Sequence, residues 1–247
     1  MKEQHLPALG PRFWGALCVA SIFGANMGDF FAHNIGLGHV AGLPFLAVGF
    51  ALVMLIERFD RTAHETYYWI AIILVRTAAT NLGDFFAGDL RIARPLVMAI
   101  LAVVLALVIA LAWKTRWQSL RGGPKAAVLS ADTPYWLGML LAGTLGTVMG
   151  DYFSHNLHLG NAVASLILSA LLAPFFVVGA RRLVWSLPFY WATIVMVRAA
   201  GTTVGDLTAA RNGLGLPLST AMTGLLFVGL LILWRRRKPE TIAAEAS

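Results

Sequence analysis

The chain alternates long apolar runs with short polar connections over almost its whole length. A helix needs about 20 mostly apolar residues to cross the hydrocarbon layer of a membrane, and most of these runs are bounded by charged residues, glycine or proline. The pattern predicts an all-α integral membrane protein. Its eight transmembrane helices are expected over residues 12–33, 39–57, 66–87, 92–113, 134–155, 160–180, 188–209 and 214–234.

Composition supports a membrane protein and excludes an ordinary soluble domain. Hydrophobic residues make up 58% of the chain and charged residues 13%, whereas soluble domains average about 25% charged residues. A single cysteine, Cys18, excludes an internal disulfide. The formal net charge of +7 does not indicate a nucleic-acid partner, because basic residues of a membrane protein usually mark its cytoplasmic side. The expected partners are the lipid bilayer and a small ion or solute.

The distribution of basic residues sets the expected orientation. Of the 19 Lys and Arg residues, 14 lie at the N-terminus, in the segments after the second, fourth and sixth predicted spans, or at the C-terminus. Basic residues accumulate on the cytoplasmic side of membrane proteins. Both termini are therefore predicted to be cytoplasmic.

A motif occurs four times and predicts the internal organisation. In each copy an aromatic residue precedes a Trp, and an Asp follows that Trp by fifteen residues within the pattern small-xxx-Gly-Asp. An apolar return helix follows. The four Gly-Asp pairs are Gly28-Asp29, Gly83-Asp84, Gly150-Asp151 and Gly205-Asp206. The motif therefore predicts four parallel two-helix repeats, with polar inner helices inside a lipid-facing ring.

The spacing of the repeats divides the chain into two pseudo-symmetric halves. Successive Asp residues are 55, 67 and 55 positions apart, so the halves are offset by 122 residues. We expect a first half over residues 1–115, a cytoplasmic linker over 116–133, a second half over 134–238 and a disordered tail over 239–247.

Each element of the motif has a structural interpretation. Trp and Tyr at helix starts are typical of the membrane interface, where they anchor the helix. The small-xxx-Gly pairs allow two helix backbones to approach closely, which turns the following Asp toward protein instead of lipid. Such stripes of small residues are also compatible with a homo-oligomer.

Two stretches resemble a known family. That family is a bacterial one of multi-pass membrane proteins built of tandem two-helix repeats of unknown function, called uncharacterised membrane-anchored proteins. The resemblance implies the fold and a place in the bacterial inner (cytoplasmic) membrane, and it implies no activity. The stretches are Tyr67-Tyr68-Trp69, Arg76 and Thr80-Asn81-Leu82-Gly83-Asp84, and Phe189-Tyr190-Trp191, Arg198 and Thr202-Thr203-Val204-Gly205-Asp206.

The chain departs from that family's repeat in its charged residues. The family's basic residue is usually Lys and its acid usually Glu, where this chain has Arg and Asp. Repeats 1 and 3 also lack the basic residue and have Ser21 and Gly143 in its place.

Ionisable residues inside the predicted spans indicate a polar site. An ionised residue at a helix centre opposes insertion by about 2.5–3.5 kcal/mol, so four Asp at one depth are expected to share a polar chamber. In repeats 2 and 4 a stripe of Arg, Thr and Asp lies on one helix face. Arg and Asp are about 12 Å apart along the axis, so each Arg must find an acid on another helix, a Thr, a carbonyl or water. Alternatively, these groups only fix helix packing.

Repeats 1 and 3, which lack the basic residue, have a His after the acid. His33-Asn34 and His155-Asn156 follow Asp29 and Asp151, with each His four residues after its Asp. Two Asp and two His brought together would suit Mn²⁺, Fe²⁺ or Zn²⁺, and a proton relay or a simple helix end satisfied by water are the alternatives. His39 and His158 lie at irregular positions and are expected to face solvent.

These features predict a transporter for a small ion or solute, coupled to a divalent metal or to protons, because ionisable residues inside spans mark pathways. A structural or regulatory protein is the alternative, and an enzyme, such as one holding haem between His33 and His155, is a third class that we do not expect. The chain has no HExxH sequence or phosphate-binding loop. The predicted transport site comprises Asp29, Asp84, Asp151, Asp206, Arg76, Arg198, Thr80, Thr202, Asn34 and Asn156, and the predicted metal ligands are His33, His155, Asp29 and Asp151.

Overall fold

A computed structural model describes residues 7, 9–60, 64–121, 131–180, 187–210 and 213–235. Over these residues all regular structure is helical, which confirms the predicted fold class. The α-helices are α1 (Pro11–Asp29), α2 (Gly38–Ala41), α3 (Leu43–Phe59), α4 (Glu65–Asp84), α5 (Arg94–Arg121), α6 (Thr133–Asp151), α7 (Gly160–Ala180), α8 (Leu187–Ala209) and α9 (Leu216–Arg235).

The connections differ in part from the predicted domain organisation. Helix α5 continues to Arg121, so the first residues of the predicted linker over 116–133 are helical. The rest of that linker up to residue 130 and the predicted tail over 239–247 lie outside the described residues.

Six helical spans in the described parts of the chain are long and apolar enough to cross a membrane: α1, α2 together with α3, α4, α5, α7 and α9. The remaining long helices, α6 and α8, carry many glycine, threonine and alanine residues and bury most of their length inside the protein. Because their neighbours are other helices, these two do not need the apolar surface that lipid contact requires.

Four helices form an inner ring. Helix α1 packs against α4, α4 against α6, α6 against α8, and α8 against α1. The other long helices surround this ring and expose most of their side chains. Of the residues in the most apolar stretch of each helix, 50% are buried inside the protein in α1 and α4, but only 11% in α3 and 17% in α5 and α9. The predicted arrangement of polar inner helices within an apolar outer ring is confirmed.

Each outer helix mainly covers the inner helix of the next repeat. Helix α3 packs on α4, α5 on α6, and α7 on α8. The last outer helix, α9, closes the circle by packing on α1. Every repeat is therefore bound to the next one in the ring, and the fourth is bound to the first.

The small-xxx-Gly pairs lie where neighbouring inner helices come closest. A Cβ atom added to Gly24 would lie 2.4 Å from the Cβ of Arg76, and one added to Gly28 would lie 2.6 Å from the Cβ of Thr80. The same relationship recurs between α6 and α8. Only the absence of a side chain allows this approach, so the predicted role of these glycines in close packing is confirmed.

The aromatic residues at the start of the inner helices do not form an interfacial belt, and that prediction is wrong. The residue before each Trp is at most 4% exposed, and each Trp is at most 8% exposed. Hydroxyl groups of Tyr68 and Tyr135 lie 2.7 Å apart, and those of Tyr135 and Tyr190 lie 3.0 Å apart. With Phe13 these tyrosines form an aromatic layer that fills the centre of the bundle at the N-terminal ends of its inner helices.

Candidate functional site

The four repeated aspartates line one cavity. Because the inner helices run parallel, their C-terminal ends meet at one end of the bundle, and Asp29, Asp84 and Asp151 are the last residues of α1, α4 and α6. Asp206 lies within the last turn of α8. The cavity has a volume of about 520 Å³ and opens at this end of the bundle. Its other charged or titratable lining residues are His33, His39, His155 and Arg94.

A wide helical turn follows three of the four aspartates. Directly after Asp29, Asp84 and Asp151 the helix continues as a five-residue π-helical segment. In the first of these the amide of Ile35 donates to the carbonyl of Phe30 at 3.0 Å. Single π turns of this kind are rare and often occur at functional sites. Here they shape the cavity mouth in three repeats, whereas α8 stays α-helical beyond Asp206.

Both histidines that the sequence predicted as metal ligands reach the cavity. His33 and His155 both line it, and Nδ1 of each lies 3.1–3.2 Å from the carbonyl oxygen of the aspartate four residues earlier. Each ring is thus held against its own helix. Within the described ranges no group of three or more His, Cys, Asp and Glu residues is arranged to hold a metal ion. A metal-binding role for His33, His155, Asp29 and Asp151 stays a prediction.

Two polar contacts connect neighbouring repeats at the rim of the cavity. Nδ1 of His39 lies 2.9 Å from Oδ2 of Asp89, and Arg94 donates to the side-chain oxygen of Asn156 at 2.9 Å. The expectation that His39 faces solvent is wrong, because its side chain lines the cavity and is 17% exposed. Asn34, which the sequence predicted as part of the transport site, is exposed and does not line the cavity.

Sequence reasoning missed Asp89, Arg94 and His39 because they stand outside the repeated motif. One signal could have identified Asp89. It follows Asp84 by five residues, as Asn34 and Asn156 follow the aspartates of their own repeats. The fifth residue after each of these aspartates is therefore polar, and in two repeats it takes part in a rim contact.

Below the cavity, Arg198 crosses the axis of the bundle. Its guanidinium donates to the hydroxyl of Thr147 at 3.1 Å, to the carbonyl of Ser21 at 2.8 Å and to the hydroxyl of Thr80. One side chain of α8 is thereby joined to the three other inner helices. The partners are the Thr and carbonyl groups that the sequence allowed, and no ion pair between Arg198 and an aspartate is found in the described part of the chain.

Arg76 stands at the corresponding place on α4, yet it is arranged differently. Its side chain is fully buried, and neither Nη1 nor Nη2 has a hydrogen-bond partner. The hydroxyl of Thr202 is also buried without a partner. The predicted Arg-Thr-Asp stripe is therefore present in both helices, but only the guanidinium of Arg198 has hydrogen-bond partners at its terminal nitrogens.

A family described as Repeat of Unknown Function (DUF347) matches residues 67–117, 134–182 and 189–239. The chain belongs to this repeat family. Neither the curated proteins nor the solved structures contain a match to the chain.

The three DUF347 matches cover the second, third and fourth repeats. The first repeat, which contains α1 and α3, is not matched, but it occupies the corresponding place in the ring because α1 packs between α8 and α4. Its aspartate, Asp29, lines the same cavity as the aspartates of the DUF347 repeats. The ring therefore consists of four structurally equivalent units.

Proposed function

We propose that the protein carries a small cation across the membrane and that the four aspartates bind this cation. The observation that supports the proposal is their convergence: one carboxylate from each repeat lines one open cavity of about 520 Å³. Ionisable residues at membrane depth oppose insertion unless they face protein or water. A packing role alone gives no reason for four of them to meet at an open cavity.

Electrostatics favour a cation over an anion. The C-terminal ends of α1, α4 and α6, with the last turn of α8, lie at the cavity, and each helix end contributes the equivalent of about half a negative charge. This adds to the charge of the carboxylates. Arg94 is the basic residue of the lining and lies at the rim, where it is engaged by Asn156.

The closed axis of the bundle is more consistent with a gated carrier than with an open pore. Beneath the cavity the guanidinium of Arg198 joins all four inner helices, and the aromatic layer of Phe13, Tyr68, Tyr135 and Tyr190 fills the far end of the axis. A cation that enters the cavity therefore meets a positive charge and a closed layer. Its passage requires these groups to move.

We propose that the protein lies in the bacterial inner membrane with both termini in the cytoplasm. The cavity would then open away from the cytoplasm, because it lies at the end of the bundle opposite to the start of α1. The support for this orientation is the accumulation of Lys and Arg at the termini and in the segments after the second, fourth and sixth predicted spans.

Two cation classes suit the lining. Divalent metal ions bind to carboxylate and imidazole groups, and His33, His39 and His155 all lie beside the aspartates. The same groups could pass protons, because the charge of His changes near neutral pH. Parallel assays with protons and with Mn²⁺ distinguish these two cargoes.

Flux into proteoliposomes tests the proposal. The variants Asp29→Asn/Asp151→Asn and Asp84→Asn/Asp206→Asn keep the side-chain shape and remove two charges each, so we expect flux of the cargo ion to fall at least about tenfold. Asp132→Asn is the matched control, because Asp132 caps α6 far from the cavity and Asn is an equally good cap. If all variants match the wild type for both protons and Mn²⁺, the proposal is wrong.

A second candidate is a structural or regulatory membrane protein whose polar residues serve helix packing. The tight glycine contacts between inner helices favour it, since they show that the motif has a packing role in every repeat. For this candidate we expect no ion flux above that of empty liposomes, and a loss of stability when the aspartates are replaced.

A further inference from the structure

Arg76 and Arg198 occupy equivalent positions and make different contacts. They are 122 residues apart, which is the offset between the two halves, and the same offset relates Thr80 to Thr202. A half-turn about the bundle axis exchanges them. Yet Arg198 has three hydrogen-bond acceptors, whereas Nη1 and Nη2 of Arg76 have none.

The acceptors that would serve Arg76 can be found by applying the same half-turn. The acceptors of Arg198 are the hydroxyl of Thr147, the carbonyl of Ser21 and the hydroxyl of Thr80. Shifting each by 122 residues leads to Ala25, the carbonyl of Gly143 and the hydroxyl of Thr202. A second acceptor set for a guanidinium is thus present, with one hydroxyl fewer.

The groups that this second set would join are both unpaired in the structure. The hydroxyl of Thr202 is buried without a hydrogen-bond partner, and so are the two terminal nitrogens of Arg76. Buried polar groups are nearly always hydrogen-bonded. That two orphaned groups are the symmetry equivalents of the bonded pair Thr80 and Arg198 indicates an interaction that this conformation leaves unmade.

Only one of the two arginines can hold the axis at a time. The contacts of Arg198 reach from α8 across the ring to α4, so the equivalent reach of Arg76 from α4 to α8 would pass through the same space. The two groups also carry like charges and repel each other in a low-dielectric interior.

We propose that Arg76 and Arg198 exchange places on the bundle axis, so that the protein has two conformations. In one, Arg198 is bonded to Thr147, Ser21 and Thr80 as observed. In the other, Arg198 withdraws and Arg76 donates to Thr202 and to the carbonyl of Gly143. Since the exchange concerns the protein alone, it does not depend on the proposed transport.

The sequence biases this equilibrium toward the observed conformation. Thr147 supplies a hydroxyl to Arg198, and its equivalent in the other half is Ala25, which supplies none. The conformation with Arg76 on the axis therefore has one hydrogen bond fewer and is the minor one. The substitution Ala25→Thr restores the missing acceptor.

Thermal unfolding of the purified protein in detergent tests the exchange. In the wild type Thr202→Val removes a hydroxyl that has no partner, so we expect no loss in Tm. In an Arg198→Met background Arg76 takes the axis, and there Thr202→Val should lower Tm by about 2–4 °C. In that background Ala25→Thr should raise Tm, with little effect in the wild type. An equal effect of Thr202→Val in both backgrounds overturns the proposal.

A second background covers the case that Arg198→Met does not fold. Thr147→Ala keeps both arginines and removes one acceptor of Arg198, so it should make Tm newly sensitive to Thr202→Val. A structure of either background provides the direct readout. The guanidinium of Arg76 within about 3 Å of the Thr202 hydroxyl supports the exchange, and a guanidinium that keeps its present position overturns it.

Discussion

Gly146 lies directly against Arg198: a Cβ atom on the glycine would be 2.6 Å from the Cβ of the arginine. The equivalent pair in the other half, Gly24 and Arg76, is as close at 2.4 Å. A large cationic residue is thus placed in the bundle centre by the lack of a side chain on the neighbouring helix. Packing and the placement of charge depend on the same residues.

Gly146→Ala is expected to destabilise the protein by about 1–3 kcal/mol, because overpacking in a close-packed interior costs about that much. Thermal unfolding in detergent measures the change. Gly229→Ala is the control: Gly229 lies inside α9 with no atom near its added Cβ, and alanine favours a helix over glycine. If the two substitutions have the same effect, the close contact in the inner ring does not determine stability.

The aromatic layer can be tested at its central hydroxyl. Tyr135→Phe removes the hydroxyl that is bonded to both Tyr68 and Tyr190. At about 0.5–1.5 kcal/mol for each hydrogen bond, we expect a loss of roughly 1–3 kcal/mol in the free energy of unfolding. Chemical denaturation followed by Trp fluorescence measures it. Tyr152→Phe, at the other end of the bundle in a π-helical segment, should leave the stability unchanged, and a comparable loss there would contradict the proposed importance of the layer.

Neutralising one cavity aspartate is expected to stabilise the protein while it weakens cation flux. Four carboxylates at one cavity repel each other and are partly removed from water, so Asp84→Asn should raise the stability by about 1 kcal/mol, less than the cost of a fully lipid-embedded charge. Thermal unfolding and flux are measured on the same preparation. Loss of stability together with unchanged flux would favour the structural candidate.

The rim contact between His39 and Asp89 should slow local opening of the short helix α2. Replacing Asp89 by Asn removes the carboxylate that lies 2.9 Å from Nδ1 of His39. Partly exposed pairs contribute at most about 1 kcal/mol, so hydrogen exchange in Gly38–Ala41 should become faster by up to about fivefold. Mass spectrometry of the protein in nanodiscs measures this exchange.

Glu65→Gln is the control for that measurement. It breaks the ion pair between Glu65 and Arg12, in which Oε2 and Nη2 lie 2.7 Å apart at the opposite end of the bundle. Hydrogen exchange in α2 should therefore stay unchanged. A similar acceleration in both variants would mean that α2 opens with the whole bundle and that the rim contact does not control it.

The periodic features of the sequence predict most of the architecture. A motif that places a glycine pair and an aspartate at one height in four parallel helices leaves few arrangements other than a ring with its acids at one end. Spacing alone therefore predicts the shared position of Asp29 and its three equivalents. It also predicts that an arginine so far from the acid of its own helix bonds to an acid on another helix, a Thr, a carbonyl or water. Of these alternatives, Arg198 uses Thr and carbonyl groups.

Other features depend on tertiary contacts that the motif does not encode. Arg76 and Arg198 have the same surroundings in sequence, and their different bonding arises from competition for one space. Trp14 and its equivalents read as interfacial anchors, but they are buried, and three of the four contact an aromatic ring of an outer helix. The offset of 122 residues relates His39 to Asn161, which also lines the cavity, but neither residue belongs to the repeated motif.

The packing of α9 on α1 has a consequence for biosynthesis. Helix α1 is made well before α9, the helix that covers it, so α1 must stay in the bilayer with its outer side open to lipid until Leu216–Arg235 has been inserted. The ring is thus closed only once α9 has been inserted, and a chain that ends before that helix leaves the circle broken beside the first aspartate.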